Sequence, residues 1–269
     1  MIRELISALV EGRDLTQDEA AQAMDEMMEG EATPAQIAAF ITALRIKGET
    51  VEEITGMAQV MREKSLKVAT DGFLVDTAGT GGDGQNTINV STIAAVVAAA
   101  AGVKMAKHGN RAASSACGSA DVLEGIGVKV DLSPESVKRC LDEVGIGFMF
   151  APVFHPSMRH AGPPRREIGI RTVFNILGPL TNPAGAQAQV LGVADSALGE
   201  KMAEALSRLG TRRAMVVHGE DGMDEISITG PTQVWEVSGD KVRSYTVTPE
   251  DAGLARSTLD SIKGGSVER

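Results

Sequence analysis

One stretch constrains this chain more than any other: Asp76-Thr77-Ala78-Gly79-Thr80-Gly81-Gly82-Asp83-Gly84-Gln85-Asn86-Thr87-Ile88-Asn89-Val90-Ser91-Thr92. It follows the short apolar run Phe73-Leu74-Val75, which reads as a strand. It runs into residues 93–101, an Ala/Val-rich segment that reads as a buried helix closed by Gly102. Glycines at 79, 81, 82 and 84 leave the backbone bare, so its N–H groups can approach a ligand closely. Asn89, Ser91 and Thr92 fall where the helix begins, and a helix N-terminus favours an anion. Strand, glycine loop and polar helix start together point to a phosphate site; the alternative is an ordinary strand-to-helix turn.

The kind of phosphate ligand is narrowed by what surrounds the loop. Gly79, Gly81 and Gly84 formally match G-x-G-x-x-G, but a dinucleotide fold needs an acid about 20 residues further on. That region is Val103-Lys104-Met105-Ala106-Lys107-His108, which is basic. No Gly-Lys-Ser/Thr follows the loop, which excludes an ATP-type P-loop. Asp83 would repel a bare phosphate and makes more sense beside a metal-bound one.

The chain has 269 residues, enough for one large domain or two smaller ones, and 43% hydrophobic residues give an ample core. A net charge of −10 argues against a general nucleic-acid or membrane binder, which would need a basic face. Cys117 and Cys140 are isolated and lack metal-type spacing, so a reducing cytoplasm fits. No apolar run approaches the ~20 residues of a membrane span, and the N-terminus reads as amphipathic helix rather than signal peptide.

Residues 1–70 read as an α-helical domain, joined by part of 156–180, and residues 71–269 as an α/β domain with a mainly parallel sheet. Three capping boxes, Thr16…Glu19, Thr33…Gln36 and Thr50…Glu53, punctuate four short helices. Beyond the glycine loop, residues 103–106 read as a strand that ends in a polar loop from Lys107 to Ser119. That loop should lie near the glycine loop, because ligands in open α/β sheets gather at the carboxyl ends of strands. Arg165-Arg166 reads as a carboxylate receptor or as ordinary surface arginines, and His155 as a site residue or a packed loop histidine. Glu220, Asp221, Asp224 and Glu225 put four carboxylates on one loop without EF-hand spacing; this is a Mg²⁺ site shared with substrate phosphates, or a solvated acidic turn. Residues 234–237 and 242–247 read as an edge hairpin.

Several blocks in this order resemble the anthranilate phosphoribosyltransferase family of tryptophan biosynthesis. They are Gly79-Thr80-Gly81-Gly82-Asp83, Asn89-Val90-Ser91-Thr92, Lys107-His108-Gly109-Asn110-Arg111, the run from Arg171 to Pro183 and the run from His218 to Glu225. The resemblance implies a fold like the nucleoside phosphorylases and transfer of the 5-phosphoribosyl group from PRPP to anthranilate. It implies that PRPP is held by Gly79, Gly82, Asp83, Thr87, Asn89, Val90, Ser91, Thr92, Lys107, His108, Gly109, Asn110, Arg111, Ala112, Ala113, Ser114, Ser115 and Ser119. It implies Mg²⁺ at Ser91, Asp224 and Glu225, and anthranilate at Gly79, Asn110, Arg165, His155, Gly178 and Pro179. Lys107 and His108 would be the catalytic pair, and the enzyme a homodimer through its helical domain. Family members continue past the position of Arg269 with helices that pack on the sheet, so the resemblance also implies an α/β domain lacking its C-terminal helices. An uncovered apolar face would favour self-association. The alternatives are an impaired fragment that binds PRPP or self-associates, and a related transferase with a different acceptor.

Overall fold

The computed structural model describes residues 1–112 and 117–266. Four helices come first: α1 (Ile2–Val10), α2 (Gln17–Glu29), α3 (Pro34–Lys47) and α4 (Val51–Glu63). There follow β1 (Leu74–Gly79), α5 (Val90–Ala100), β2 (Lys104–Gly109), α6 (Ser119–Gly125), α7 (Pro134–Glu143), β3 (Ile146–Phe150) and α8 (Ala151–Phe154). The chain continues with α9 (Met158–Ile168), α10 (Phe174–Leu177), β4 (Ala188–Gly192), α11 (Gly199–Arg208), β5 (Arg213–Gly219), β6 (Thr232–Ser238) and β7 (Lys241–Val247). Two compact units result. One comprises residues 1–66 with 155–181, the other residues 67–154 with 182–269.

In the helical unit all three capping boxes form: the Thr16, Thr33 and Thr50 hydroxyls accept from the N3 amides, and Glu19, Gln36 and Glu53 reach back to the cap amides. Each such cap stabilises by about 1 kcal/mol. Glu53 does more, for its fully buried carboxylate also accepts from Leu15 N (2.9 Å) and Lys47 Nζ (3.0 Å). That ties the turn before α2 to the end of α3. The helices α2 and α4 pack closely because Gly56 has no side chain; a Cβ there would strike the Gln17 backbone. Met24, Met27, Met57 and Met61 fill the adjoining core. Helix α9 packs on α2 and α3 through Ala161 and Pro164, and Arg62 Nε donates to Leu180 O at 2.6 Å.

The second unit is built on a seven-stranded sheet of order β3-β2-β1-β4-β5-β6-β7. Strands β3, β2, β1, β4 and β5 are parallel, whereas β6 and β7 run antiparallel as a hairpin at the edge. The hairpin turns at Gly239-Asp240, with Gly239 at φ 62°. Helix α7 covers β3 and β2, and α11 covers β5 and β6. One core cluster joins Val68, Leu74, Ala106, Val137, Leu141, Met149 and Phe154. Val68 already belongs to it and donates to Pro183 O, which places the unit boundary after Leu66, four residues before the division expected from sequence.

Two expectations are corrected. The helix after the glycine loop is not buried: Ile93, Val96 and Val97 are 48%, 52% and 63% exposed, and only Thr92 and Ala95 are buried. An all-apolar composition does not say how many faces are covered, and α5 lays one face on β1 and β2. Lys107, His108 and Gly109 are not loop residues. The parallel ladder to β3 runs on through Lys107↔Phe148, His108↔Met149 and Gly109↔Phe150, so β2 keeps them extended.

Candidate active site

Strand β1 lies where the sheet reverses direction, with β2 on one side and β4 on the other, and the carboxyl ends at such a point are where α/β sheets bind ligands. Two glycines face each other across these ends, Gly79 of β1 and Gly192 of β4. A Cβ on Gly192 would overlap the backbone of Asp224, and one on Gly79 would meet its carboxylate. The missing side chains let the acidic loop after β5 lie directly on the strand ends. There Asp224 Oδ2 accepts from Gly81 N at 2.8 Å, and Thr80 N donates to Gly192 O at 2.9 Å. Glu225 accepts from the Ser91 amide at the start of α5 and feels the charge of Lys107.

This corner holds more acid than it can neutralise. Burial, then the neighbouring Asp83 carboxylate, pushes Asp224 up to about 6. Burial, then Asp224, pushes Glu225 up to about 8 against the opposing pull of Lys107. Glu220 is exposed, and Asp221 turns away to accept from Ser227 Oγ (2.6 Å) and Thr229 Oγ1 (2.7 Å). The four acids of the loop are therefore divided, two toward the glycine loop and two elsewhere. Among the described residues no group of three or more His, Cys, Asp or Glu side chains is arranged to hold a metal alone. A Mg²⁺ that keeps waters and takes phosphate oxygens needs only one or two carboxylates, so the oxygen donors of Asp83, Asp224, Glu225 and Ser91 fit it.

Lys107 is buried, and its ammonium donates to Thr77 O (2.6 Å) and Ser91 Oγ (3.1 Å), tying β1, β2 and α5 at one point. Beneath it Asp76 is fully buried and accepts from His108 N (3.1 Å), Asn182 Nδ2 (2.8 Å) and Gln189 Nε2 (3.4 Å). Burial pushes Asp76 up and Lys107 down, and each charge opposes the other's displacement. The three N–H donors converging on Asp76 are partners for an ionised carboxylate. Asn182 also donates to Ala106 O at 2.7 Å, so one amide fastens the turn before β4 to both β1 and β2. Thr92 Oγ1, at the start of α5, is buried without a hydrogen-bond partner among the described residues.

The remaining sequence-derived residues belong to several elements of the two units. Gly82 is exposed beside Gly81, both at positive φ. Thr87 and Val90 flank Asn89, whose Nδ2 donates to Cys117 O at 3.1 Å and links the two loops. Arg111 pairs with Glu124 and with Asp121 (3.2 Å) and lies over the Phe150 ring. Asn110 is exposed, Ala112 N donates to Asp121 (2.9 Å), and Ser119 opens α6. Ala113, Ser114 and Ser115 lie outside the described residues. His155, Arg165, Gly178 and Pro179 belong to the helical unit. There His155 is buried and Gly178-Pro179 form a 3-10 turn. Arg165 is half-buried over the Phe174 ring, pairs with no carboxylate among the described residues, and is pushed down by burial and by Arg171. Sequence reasoning passed over Asp76, Asn182 and Gly192. The available signal was Asp76 itself, an acid directly after the apolar run Phe73-Leu74-Val75.

Comparison with known proteins places this geometry. Residues 71–269 match the Glycosyl transferase family, a/b domain, and residues 3–65 match its helical bundle domain. The anthranilate phosphoribosyltransferase of Chloroflexus aggregans is 64% identical over 267 residues, covering 99% of this chain and 78% of that protein. That of Moorella thermoacetica is 59% identical, covering 99% and 79%. Among solved structures, the Thermus thermophilus anthranilate phosphoribosyltransferase superposes with a TM-score of 0.92 at 49% identity, covering 98% of this chain and 79% of that one. The Saccharomyces cerevisiae enzyme in complex with PRPP and Mg gives a TM-score of 0.91 at 28% identity, covering 99% and 78%. With matches of this extent in sequence and structure alike, the chain belongs to the anthranilate phosphoribosyltransferase family.

Proposed function

We propose that this chain transfers the 5-phosphoribosyl group of PRPP to the amine of anthranilate, releasing pyrophosphate, with Mg²⁺ as its cofactor. The observation that carries the reading is the excess of acid at the ends of β1 and β4. Asp83, Asp224 and Glu225 crowd a glycine loop that would otherwise attract phosphate directly. Carboxylates there suit a polyphosphate only in company with a cation. The S. cerevisiae relative is described with PRPP and Mg, and in another structure with 4-fluoroanthranilate.

Asp224 and Glu225 would hold Mg²⁺ with Ser91, and the cation when bound would supply charge neutralisation for the leaving pyrophosphate. The chain's own groups do the rest. Lys107, locked between Thr77 O and Ser91 Oγ, holds a fixed positive charge where negative charge grows on the departing oxygen. The Gly82 amide and the polar start of α5 (Asn89, Ser91, Thr92) position phosphates, and Thr92 Oγ1 supplies an unengaged donor. His108 is held by its backbone against Asp76, which orients the end of β2. Anthranilate's amine is neutral at pH 7 and needs no strong base, so catalysis is alignment and leaving-group electrostatics. Arg165 is assigned to the acceptor's carboxylate because it is a half-buried guanidinium with no acid paired to it among the described residues. The reading extends to a homodimer through the helical unit, where Val10 and Ile46 are exposed, and to a cytoplasmic location consistent with free Cys117 and Cys140.

Anthranilate fluorescence, followed with purified chain, PRPP and Mg²⁺ against a blank without PRPP, tests the proposal. A PRPP-dependent decay is expected. A folded preparation that shows no decay overturns it, and decay of another aromatic amine in place of anthranilate overturns the acceptor.

A further inference from the structure

We infer that the backbone of residues 257–264 is a clamp on the glycine loop, and that Gly264 is a positioning residue for the phosphoribosyl donor. The inference rests on the PRPP reading above. Between β1 and α5 the chain has neither helix nor ladder of its own, yet residues 86–88 are held at both ends by one neighbouring segment. Gly264 N donates to Asn86 O at 2.7 Å, and Ile88 N donates to Ile262 O at 2.8 Å. Around these bonds Thr87 and Lys263 form an antiparallel bridge. Asn86 stands at φ 52°, the one non-glycine residue at positive φ among those described, a left-handed turn conformation that asparagine tolerates.

The clamp is fastened to the acidic loop as well. Ser257 N donates to Ile228 O at 2.9 Å, and Gln85 Nε2 donates to Asp221 O at 2.7 Å. The strap thus bonds to the acidic loop at Ile228 and to the loop that leads to Asn89 and Ser91 at Asn86 and Ile88, while Gln85 joins the two loops directly. Only glycine permits this approach at residue 264. A Cβ there would lie 2.7 Å from the Thr87 carbonyl carbon and 3.1 Å from Asn86 O, with Thr87 O nearer still. All three are backbone atoms that cannot swing aside as a side-chain tip would. The bridge uses main chain alone, and the exposed Lys263 side chain takes no part in it.

Gly264→Val tests the inference, with Lys263→Ala as control, in three measurements: thermal melting, hydrogen–deuterium exchange of residues 84–89, and PRPP binding by calorimetry with Mg²⁺. For Gly264→Val, exchange at 84–89 is expected to rise, and the PRPP Kd to increase, each by up to about thirtyfold, the factor carried by losing two ordinary hydrogen bonds. The melting temperature of Gly264→Val should fall by only a few degrees, and Lys263→Ala should match wild type in all three measurements. Faster loop exchange with unchanged PRPP Kd would make the strap merely structural, and unchanged exchange would remove it altogether. If Gly264→Val fails to fold, Gly264→Ala, which adds only the Cβ, is judged by the same criteria. Wild-type chain that does not bind PRPP overturns the donor reading itself, a result distinct from wild type and variant binding PRPP equally.

Discussion

Glu225 makes the acidic corner measurable without any turnover. In the folded chain its carboxyl is raised from an ordinary 4.5 to about 8, first by burial and then by Asp224. A group whose folded pKa lies above its unfolded value binds more protons when folded, so stability falls as pH rises through that window. The stabilisation is complete below about 4.5 and lost by about 8. Asp224, raised to about 6, adds the same sign over a lower window. At about 1.4 kcal/mol for each pH unit, Glu225 alone sets a ceiling of about 5 kcal/mol. Its side chain keeps some contact with solvent, so relaxation leaves about 2 kcal/mol. For a chain of this size that is a fall of roughly 5 °C in apparent melting temperature between pH 5 and pH 8.5. Thermal melts across that range, with and without PRPP and Mg²⁺, provide the assay. The cation prefers the ionised carboxylate, so its stabilisation should grow with pH, opposing the apo trend. Glu225→Gln, a neutral mimic of the protonated acid, should flatten the apo slope. A slope of opposite sign, or one unchanged in Glu225→Gln, would refute the reasoning.

Three further outcomes are expected. Gly192→Ala drives a Cβ into the Asp224 backbone and should lower turnover about tenfold or more while costing only about 1–3 kcal/mol of stability, as kinetics and urea melts will show; full activity would mean the acidic loop need not sit on the strand end. Asp76→Ala strips the acceptor from Asn182 and His108 N and the nearby counter-charge from Lys107, so the urea midpoint should fall by the equivalent of about 3–5 kcal/mol; a loss under about 1 kcal/mol would show that Asp76 is not a paired buried charge. Arg165→Ala should raise the anthranilate KM about tenfold or more with the PRPP KM unchanged, and an unaltered anthranilate KM would remove Arg165 from acceptor binding.

Local chemistry was legible from residue types alone. Thr33-Pro34 with Gln36 can do little else than begin a helix, because cap, fixed φ and reciprocal side chain agree within four residues. The reading of the glycine loop is equally local: bare backbone ahead of Asn89, Ser91 and Thr92 suits an anion through residue types alone. Ordered blocks from Gly79 to Glu225 carried the family resemblance. Tertiary structure decided what depends on partners remote in sequence. Asp224 came to lie against the glycine loop, and Asp221 turned to Ser227 and Thr229, because Gly192 and Gly79 leave room for the Asp224 backbone and carboxylate. Lys107 became a strand residue because β3 lies alongside to continue the ladder. Asp76 gained its meaning from Asn182, 106 positions away. Composition could not tell which face of α5 would be covered, nor could spacing foresee Gly264 against Thr87, since burial and close approach belong to pairs of segments and are properties of neither alone.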